Sequence, residues 1–474
     1  MLEGLEISEI YLNEVLKDND NKRIDSEYFR KQFLNFFKNI PDLKPLSYFV
    51  KDGYRVVYES TNVIEKQEAI EKDYPYFLQA TDLKTPFIDT SNLFYVHEED
   101  WARYPKGRIV KGEILIEVKG KIDKVAIVPD NFPEKTLVTG SLFKLTVNEK
   151  ISKHILLTYL ISKYGTAFKD RYKTNLLISF VSKPDLYRIP VPSFGKKIQI
   201  QIDNIFDNIF ESNKKSKNLY SQAETLLLET LGLNNFEPTA EAVNIKNFKE
   251  SFLSSGRLDA EYYQKKYEEI TVRIKSHKYD QLGNLVNIKK SIEPGSDAYQ
   301  EEGVPFIRVS NLNKMGLSEP DIHLDGVKYK DVVKPRKDTI LLSKDGSVGM
   351  AYKVSEDMNA ITSGAILHLS VKTDEVLPDY LTLILNSKVV QMQAERDAGG
   401  SILQHWKPSE IEQVEIPIID KQTQEKIALL VSESFMLKKQ SEQLLETAKR
   451  AVEIAIEEGE EVAMRYIDDS KRLN

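Results

Sequence analysis

The chain has 474 residues, 41% hydrophobic and 29% charged, the balance of a water-soluble globular protein with room for two or three domains. It holds no cysteine, which excludes disulfides, thiolate nucleophiles and sulfur-based zinc sites and fits a cytoplasmic location. A net charge of −7 neither demands nor forbids a nucleic-acid partner, because local basic patches decide phosphate binding.

In chain order, residues 1–19 read as a short helical segment whose acidic start is unlike a signal peptide. The longest apolar runs, such as 176–181, are far too short to span a membrane, so no membrane partner is expected. Residues 20–192 form a first body, with β-branched runs predicting strands at 77–80, 112–118, 125–128 and 142–147 and a helix at 154–164. Residues 193–233 carry apolar positions at helical spacing (Ile198, Ile202, Ile205, Ile209, Tyr220, Ala223, Leu227) interrupted by the polar run 212–216. A connector, 234–253, leads to a second body at 254–420, with strands at 306–309, 339–343 and 365–371 and a helix at 378–386. Residues 421–456 repeat the helical spacing through Ile427, Val431, Phe435, Ser441, Ala448 and Val452. A helix of about 35 residues is about 50 Å long, so two such helices packed antiparallel would make a rigid spacer. The acidic tail, 457–474, reads as a helix end followed by a solvated face.

The two bodies repeat one another. Arg-Ile-Asp-Ser-Glu-Tyr-Phe from Arg23 returns as Arg-Leu-Asp-Ala-Glu-Tyr-Tyr from Arg257, 234 positions later. Further matches follow in order: 74–83 with 304–312, Gly112–Gly120 with Asp338–Gly346, Tyr159-Leu160 with Tyr380-Leu381, and 188–192 with 415–418. The fold expected is therefore α+β, two pseudo-repeated bodies joined by long antiparallel coiled-coil helices. The bodies differ in charge: 23 Lys and Arg against 19 Asp and Glu over 44–192, but 15 against 22 over 279–420. Two similar bodies on a spacer suit a molecule that reads or bridges two things.

The stretch Asp338-Thr339-Ile340-Leu341-Leu342-Ser343-Lys344-Asp345-Gly346-Ser347-Val348-Gly349, then Glu415-Ile416-Pro417-Ile418, then 422–428 opening a long helix, resembles the specificity subunit of Type I restriction–modification systems. Duplicated order, more than any single motif, carries the resemblance, which covers nearly the whole chain. The first half departs from it, with Gly120-Lys121-Ile122-Asp123 in place of Gly346-Ser347-Val348-Gly349. The resemblance implies two target recognition domains, each reading half of a split site in double-stranded DNA. It implies a coiled coil that sets the gap and docks two methyltransferase subunits. It also implies no catalysis on this chain: S-adenosylmethionine belongs to the methyltransferase partners, and ATP and Mg²⁺ to restriction and translocase subunits.

The residues agree with a non-catalytic chain. There is no Asn-Pro-Pro-Tyr or Asp-Pro-Pro-Tyr loop and no Walker A pattern, and the six His are scattered. One alternative is a Mg²⁺-dependent nuclease on the Glu117-Val118-Lys119 strand, although the twin positions are Ser343 and Asp345. Another is a bivalent scaffold whose two bodies bind protein.

Base edges are read by Arg, Lys, Asn and Gln, and phosphates by Lys, Ser, Thr and bare backbone N–H groups. Candidates in the second half are Arg308, Ser310 and Asn311, then Lys344 and Ser347 beside Gly346, then Ser401, Gln404 and Lys407. Those in the first half are Gln79, Thr81, Lys119, Lys121 and Lys124, with Arg171, Tyr172, Lys173 and Asn175 as the counterpart of 399–407.

Overall fold

A computed structural model describes residues 9–473 apart from 17–18, 20–21, 41, 59–60, 65, 175–176, 242 and 399–403. The chain divides into two compact units, one of residues 1–211 with 440–474 and one of residues 212–439.

The first unit is built on an antiparallel sheet in the order Val50–Tyr54, Leu142–Val147, Ile114–Glu117, Val125–Ile127. Successive side chains of a strand point to opposite faces. Here both faces are covered, which explains why Ile114–Glu117 is buried without alternation. Ile114, Ile116, Phe143 and Leu145 pack with the helices Lys153–Ile161 and Lys163–Tyr172. Leu115, Ala126 and Leu142 pack on the other side with Leu78, Leu83 and Val138. Those residues belong to smaller ladders: Phe94–Tyr95, Tyr76–Leu78 and Thr136–Val138 in one sheet, and the hairpin Leu83–Lys84 with Phe87–Ile88. A further ladder joins Leu43–Pro45 to Pro190–Pro192.

The second unit has the same strand orders. Its main sheet runs Val286–Lys290, Ile366–Val371, Ile340–Ser343, Ala351–Lys353, and its mixed sheet His323–Leu324, Val304–Ile307, Ile361–Thr362. In each mixed sheet the central strand is antiparallel to one neighbour and parallel to the other, with Tyr76 opposite Thr136 and Phe306 opposite Ile361. Tyr279–Gln281 pairs Glu415–Pro417, as Leu43–Pro45 pairs Pro190–Pro192.

The motif repeated at Arg23 and Arg257 is a clip. Arg23 bonds Asp25 at 2.8 Å, lies 4.9 Å from the centre of the Tyr28 ring, and donates to the carbonyls of Arg171 and Lys173 at 3.1 and 2.9 Å. Arg171 covers the same ring at 4.3 Å. In the second unit Arg257 bonds Asp259 at 2.8 Å, lies 4.5 Å from Tyr262, and donates to the Asp397 carbonyl at 3.1 Å, while Arg396 takes the role of Arg171 at 5.3 Å. Each guanidinium thus meets carbonyls that a helix leaves unpaired at its C-terminus. Hydrogen bonding from the arginines holds Asp25 and Asp259 below the usual carboxylate range.

Two long helices, Lys196–Thr230 and Lys421–Glu457, each have their residues divided between the units. Within the first unit Ile202, Phe206 and Ile209 share a core with Ala448, Ala451 and Val452, and Ser441 Oγ donates to the Ile209 carbonyl at 3.2 Å. Within the second, Ser434 Oγ donates to the Ser216 carbonyl at 2.7 Å, and Leu227 shares a core with Ile427 and Val431. The polar run that interrupts the apolar spacing therefore places a buried serine opposite a buried serine.

Two expectations are corrected. The helix expected over 154–164 is two helices broken at Ser162, whose side chain accepts the Gly165 N–H. A Cβ on Gly165 would sit 2.1 Å from the Tyr159 carbonyl oxygen, so the break brings two backbones into contact. The tail expected as a solvated face is a helix, Glu460–Leu473, whose Ala463 and Ile467 are buried in the first unit. Glu460 accepts the Gly195 N–H at 2.6 Å, and Glu457, at the end of the preceding helix, pairs with Lys163. A one-turn apolar stripe hidden in acidic composition explains the miss.

Candidate nucleic-acid interface

In the second unit the strand Ile340–Ser343 runs into the turn 344–349, where Gly346 and Gly349 have φ of +74° and +83°, a region that favours glycine. Gly346 N–H donates to the Gln404 carbonyl at 2.9 Å and Trp406 N–H to the Lys344 carbonyl at 2.8 Å. Asp345 links the two segments, accepting from Lys344 and lying 2.8 Å from His405 Nδ1. Burial works against its charge, but those two partners hold its carboxyl below the usual range. Trp406 is buried, so the flanking Gln404, His405 and Lys407 are turned outward beside Ser347. Three residues chosen from sequence, Ser347, Gln404 and Lys407, are thereby brought to one surface, with Lys344 in the same turn. Lys344 is largely covered, its ammonium committed to Asp345, while Lys407 is exposed and 3.2 Å from Glu410. Ser401 lies outside the described residues.

The first unit has the same frame with other side chains. Gly120 has φ +114°, its N–H donates to the Ser179 carbonyl at 3.1 Å, and Val181 N–H donates to the Val118 carbonyl at 2.9 Å. The bridge Lys119 with Phe180 stands where Asp345 pairs His405. Lys119 and Lys121 are exposed on this turn. The counterpart of 404–406 is thus 179–181, and the sequence alignment with 171–175 is corrected.

That correction removes Arg171 and Tyr172 from the surface. Both lie in the last turn of Lys163–Tyr172 and are buried; Arg171 Nε donates to the Tyr28 carbonyl at 3.1 Å as part of the clip. Lys173 pairs with Asp170 at 2.8 Å, and Asn175 lies outside the described residues. Asn311 is also turned inward, its Oδ1 accepting the Arg308 N–H at 2.9 Å within a tight turn. Asp82 closes the matching turn by accepting the Gln79 N–H at 2.7 Å. Such a turn needs a side-chain acceptor at its third position, which is why an amide there serves structure. Around these turns Thr81 and Ser310 are exposed and Gln79 is half-buried. Arg308 is held by Asp321 at 2.7 Å, and Lys124 is a strut donating to the Ala80 carbonyl at 3.0 Å.

The nuclease geometry does not assemble. Glu117 is buried and Lys119 is exposed. Burial and the neighbouring Asp123 push the Glu117 carboxyl up, which disfavours the ionised form a metal requires. Beside them Lys169 is buried, its ammonium pushed down to about 8 by burial. No group of three side chains able to hold a metal occurs among the described residues.

Sequence reasoning also passes over two basic stretches, 101–111 and 327–337, although a running charge count marks both.

Residues 275–447 match the family described as Type I restriction modification DNA specificity domain. The specificity subunit of the Type I restriction enzyme EcoBI from Escherichia coli is 27% identical over 202 residues, 38% of this chain and 41% of that relative. The match therefore spans less than half of that relative's length. Among solved structures, a Type I restriction–modification S subunit from M. genitalium matches with a TM-score of 0.38 at 14% identity, covering 88% of this chain and 96% of that one. The HsdS subunit from Thermoanaerobacter tengcongensis matches with a TM-score of 0.28 at 12% identity, covering 88% and 97%. No described helix is long and apolar enough to cross a membrane.

Proposed function

Because residues 275–447 match the family described as Type I restriction modification DNA specificity domain, we propose that the whole chain is a specificity subunit. Each unit reads one half of a bipartite site in double-stranded DNA. The two long helices pack antiparallel as a coiled coil, set the gap between the half-sites and dock two methyltransferase subunits. The chain itself is non-catalytic and cytoplasmic. S-adenosylmethionine is used by the methyltransferase partners, ATP and Mg²⁺ by restriction and translocase subunits.

One observation carries the reading. The same turn, closed by the same pair of backbone hydrogen bonds, presents Lys119 and Lys121 in one unit and Asp345 and Ser347 in the other. Base readout depends on side-chain donors and acceptors held in register by a backbone frame. A frame kept while its side chains change is what two different half-sites require.

Methylation mapping of the host genome tests it. The expected outcome is one two-part motif with a fixed gap, lost when this gene is deleted and restored by it. A continuous motif, or a two-part motif that persists without the gene, would refute the reading.

A further inference from the structure

The two basic stretches occupy one place in the fold. Each follows the outer strand of the mixed sheet, Phe94–Tyr95 or His323–Leu324, and each ends at a left-handed residue, Gly112 (φ +81°) or Asp338 (φ +62°). The N–H of that residue donates to the Val128 carbonyl at 2.9 Å or the Val354 carbonyl at 2.8 Å, and the next residue's carbonyl accepts from the same valine. At this constant offset of 226 the stretches share one identity, Lys111 with Lys337. Their charge nonetheless agrees. Residues 101–111 hold four cations and no acid, and 327–337 hold five cations and Asp331, so both are +4. The second lies in a body of 15 cations and 22 acids over 279–420, so its sign is not inherited from its surroundings.

Both stretches keep one backbone bond, from the Glu113 N–H to the Val110 carbonyl and from the Thr339 N–H to the Arg336 carbonyl, but different side chains pin the rest. In the first unit the buried Lys144–Glu113 pair, 2.8 Å apart, reaches the Arg108 carbonyl and the Val110 N–H. In the second, Asp357 accepts the Lys337 N–H and pairs with Arg336, both at 2.9 Å. Of the nearby acids Asp100 is buried, Glu98 pairs with Lys135 at 2.7 Å and Asp325 accepts the Val327 N–H at 2.8 Å, while Glu99 and Asp331 are exposed. Arg103, Lys106, Lys328, Lys330 and Lys337 are exposed and carry no ion pair among the described residues, and Lys111 is exposed 3.7 Å from Glu134. Different side chains on one shared backbone frame that display the same net charge point to a shared polyanionic ligand.

We propose that 101–111 and 327–337 are matching phosphate-binding strips that grip the DNA backbone beside each half-site; the inference rests on the DNA-specificity reading above. Strip and glycine turn stand at opposite ends of one strand, and the seven steps from Lys337 to Lys344 span about 20 Å of extended chain. That is shorter than one turn of duplex, about 34 Å, so one DNA molecule can touch both. The turns read bases and the strips supply sequence-independent attraction.

The test uses the assembled complex with its methyltransferase subunits. Two triple variants are compared with wild type, Arg103→Gln with Lys106→Gln and Lys111→Gln, and Lys328→Gln with Lys330→Gln and Lys337→Gln. Affinity for the mapped site is measured against salt, and the methylated motif is sequenced. Each released counterion contributes about 0.9 to the salt slope, so each triple is expected to flatten it by about 2 to 3 while the motif stays the same. The charge-preserving Lys106→Arg, Lys111→Arg variant is expected to keep the wild-type slope; a flattened slope there would assign the effect to structure and overturn the strips. Unchanged slopes in both Gln triples, with wild type recognising its two-part motif, would overturn the strips alone. A wild-type complex with no two-part motif would overturn strips and subunit reading together.

Discussion

Replacing Arg257 by Met probes the clip that the duplicated motif builds. Methionine keeps much of the stem volume and removes the guanidinium, so the loss is confined to three interactions. The ion pair with Asp259 is about three-quarters covered on the arginine side and well over half covered on the aspartate side. At such partial exposure it contributes about 0.5–1 kcal/mol. The bond to the Asp397 carbonyl, 3.1 Å long, involves a charged donor and contributes about 1.5 kcal/mol. Stacking on Tyr262 at 4.5 Å adds about 0.5–1 kcal/mol. The expected cost is about 2.5–3.5 kcal/mol, felt at the end of helix Lys388–Asp397, immediately before the segment that carries Gln404 to Lys407. Hydrogen exchange is the suitable assay, because a chain of two compact units need not unfold in one step. Amides of 393–398 should exchange about 60- to 300-fold faster, since 1.4 kcal/mol is a factor of ten. The corresponding amides of 168–173, held by Arg23, should not change. Unaltered exchange at 393–398, or equal acceleration in both units, would refute the clip.

Two further outcomes follow from local physics. Glu117→Gln should stabilise the chain at pH 8 and have little effect at pH 4. Burial and Asp123 raise the folded-state pKa, so the stabilising protonated form is complete below the ordinary carboxyl range and is lost as pH rises through the raised value; a Gln variant less stable at pH 8 would show that the ionised form is the favoured one. Gly346→Ala should cost only the left-handed backbone penalty of about 1–2 kcal/mol, because a Cβ there meets nothing within 4 Å, whereas Gly165→Ala, driving a Cβ to 2.1 Å from the Tyr159 carbonyl, should cost several times more in urea unfolding. Equal costs would mean the two glycines serve the same purpose.

Local pattern alone carried much of the architecture. Strands expected at 142–147 and 365–371 and the helix expected at 378–386 agree with Leu142–Val147, Ile366–Val371 and Pro378–Asn386, because a buried β-branched run and a proline-started apolar helix are both written in neighbouring residues. The long helices Lys196–Thr230 and Lys421–Glu457 were legible for the same reason. The repeated motifs keep their order along the sequence, but what each one does was not legible there. Arg23 and Arg257 meet partners about 140 or more residues away, and no spacing rule announces such a contact.

The candidate interface divides along the same line. Sequence chose the glycine turns, since glycine beside a strand marks a backbone conformation that few other residues adopt. Tertiary structure decided which segment faces each turn, 179–181 in one unit and 404–406 in the other, because that choice depends on hydrogen bonds between strands distant in the chain. It turned Arg171, Tyr172 and Asn311 inward and left Lys119, Lys121, Gln404 and Lys407 at the surface. The side chains that suit a base edge or a phosphate are also those that cap turns and helix ends. Composition names the polar groups, and only the packing around each one determines whether its hydrogen-bonding capacity is spent within the fold or left for a ligand.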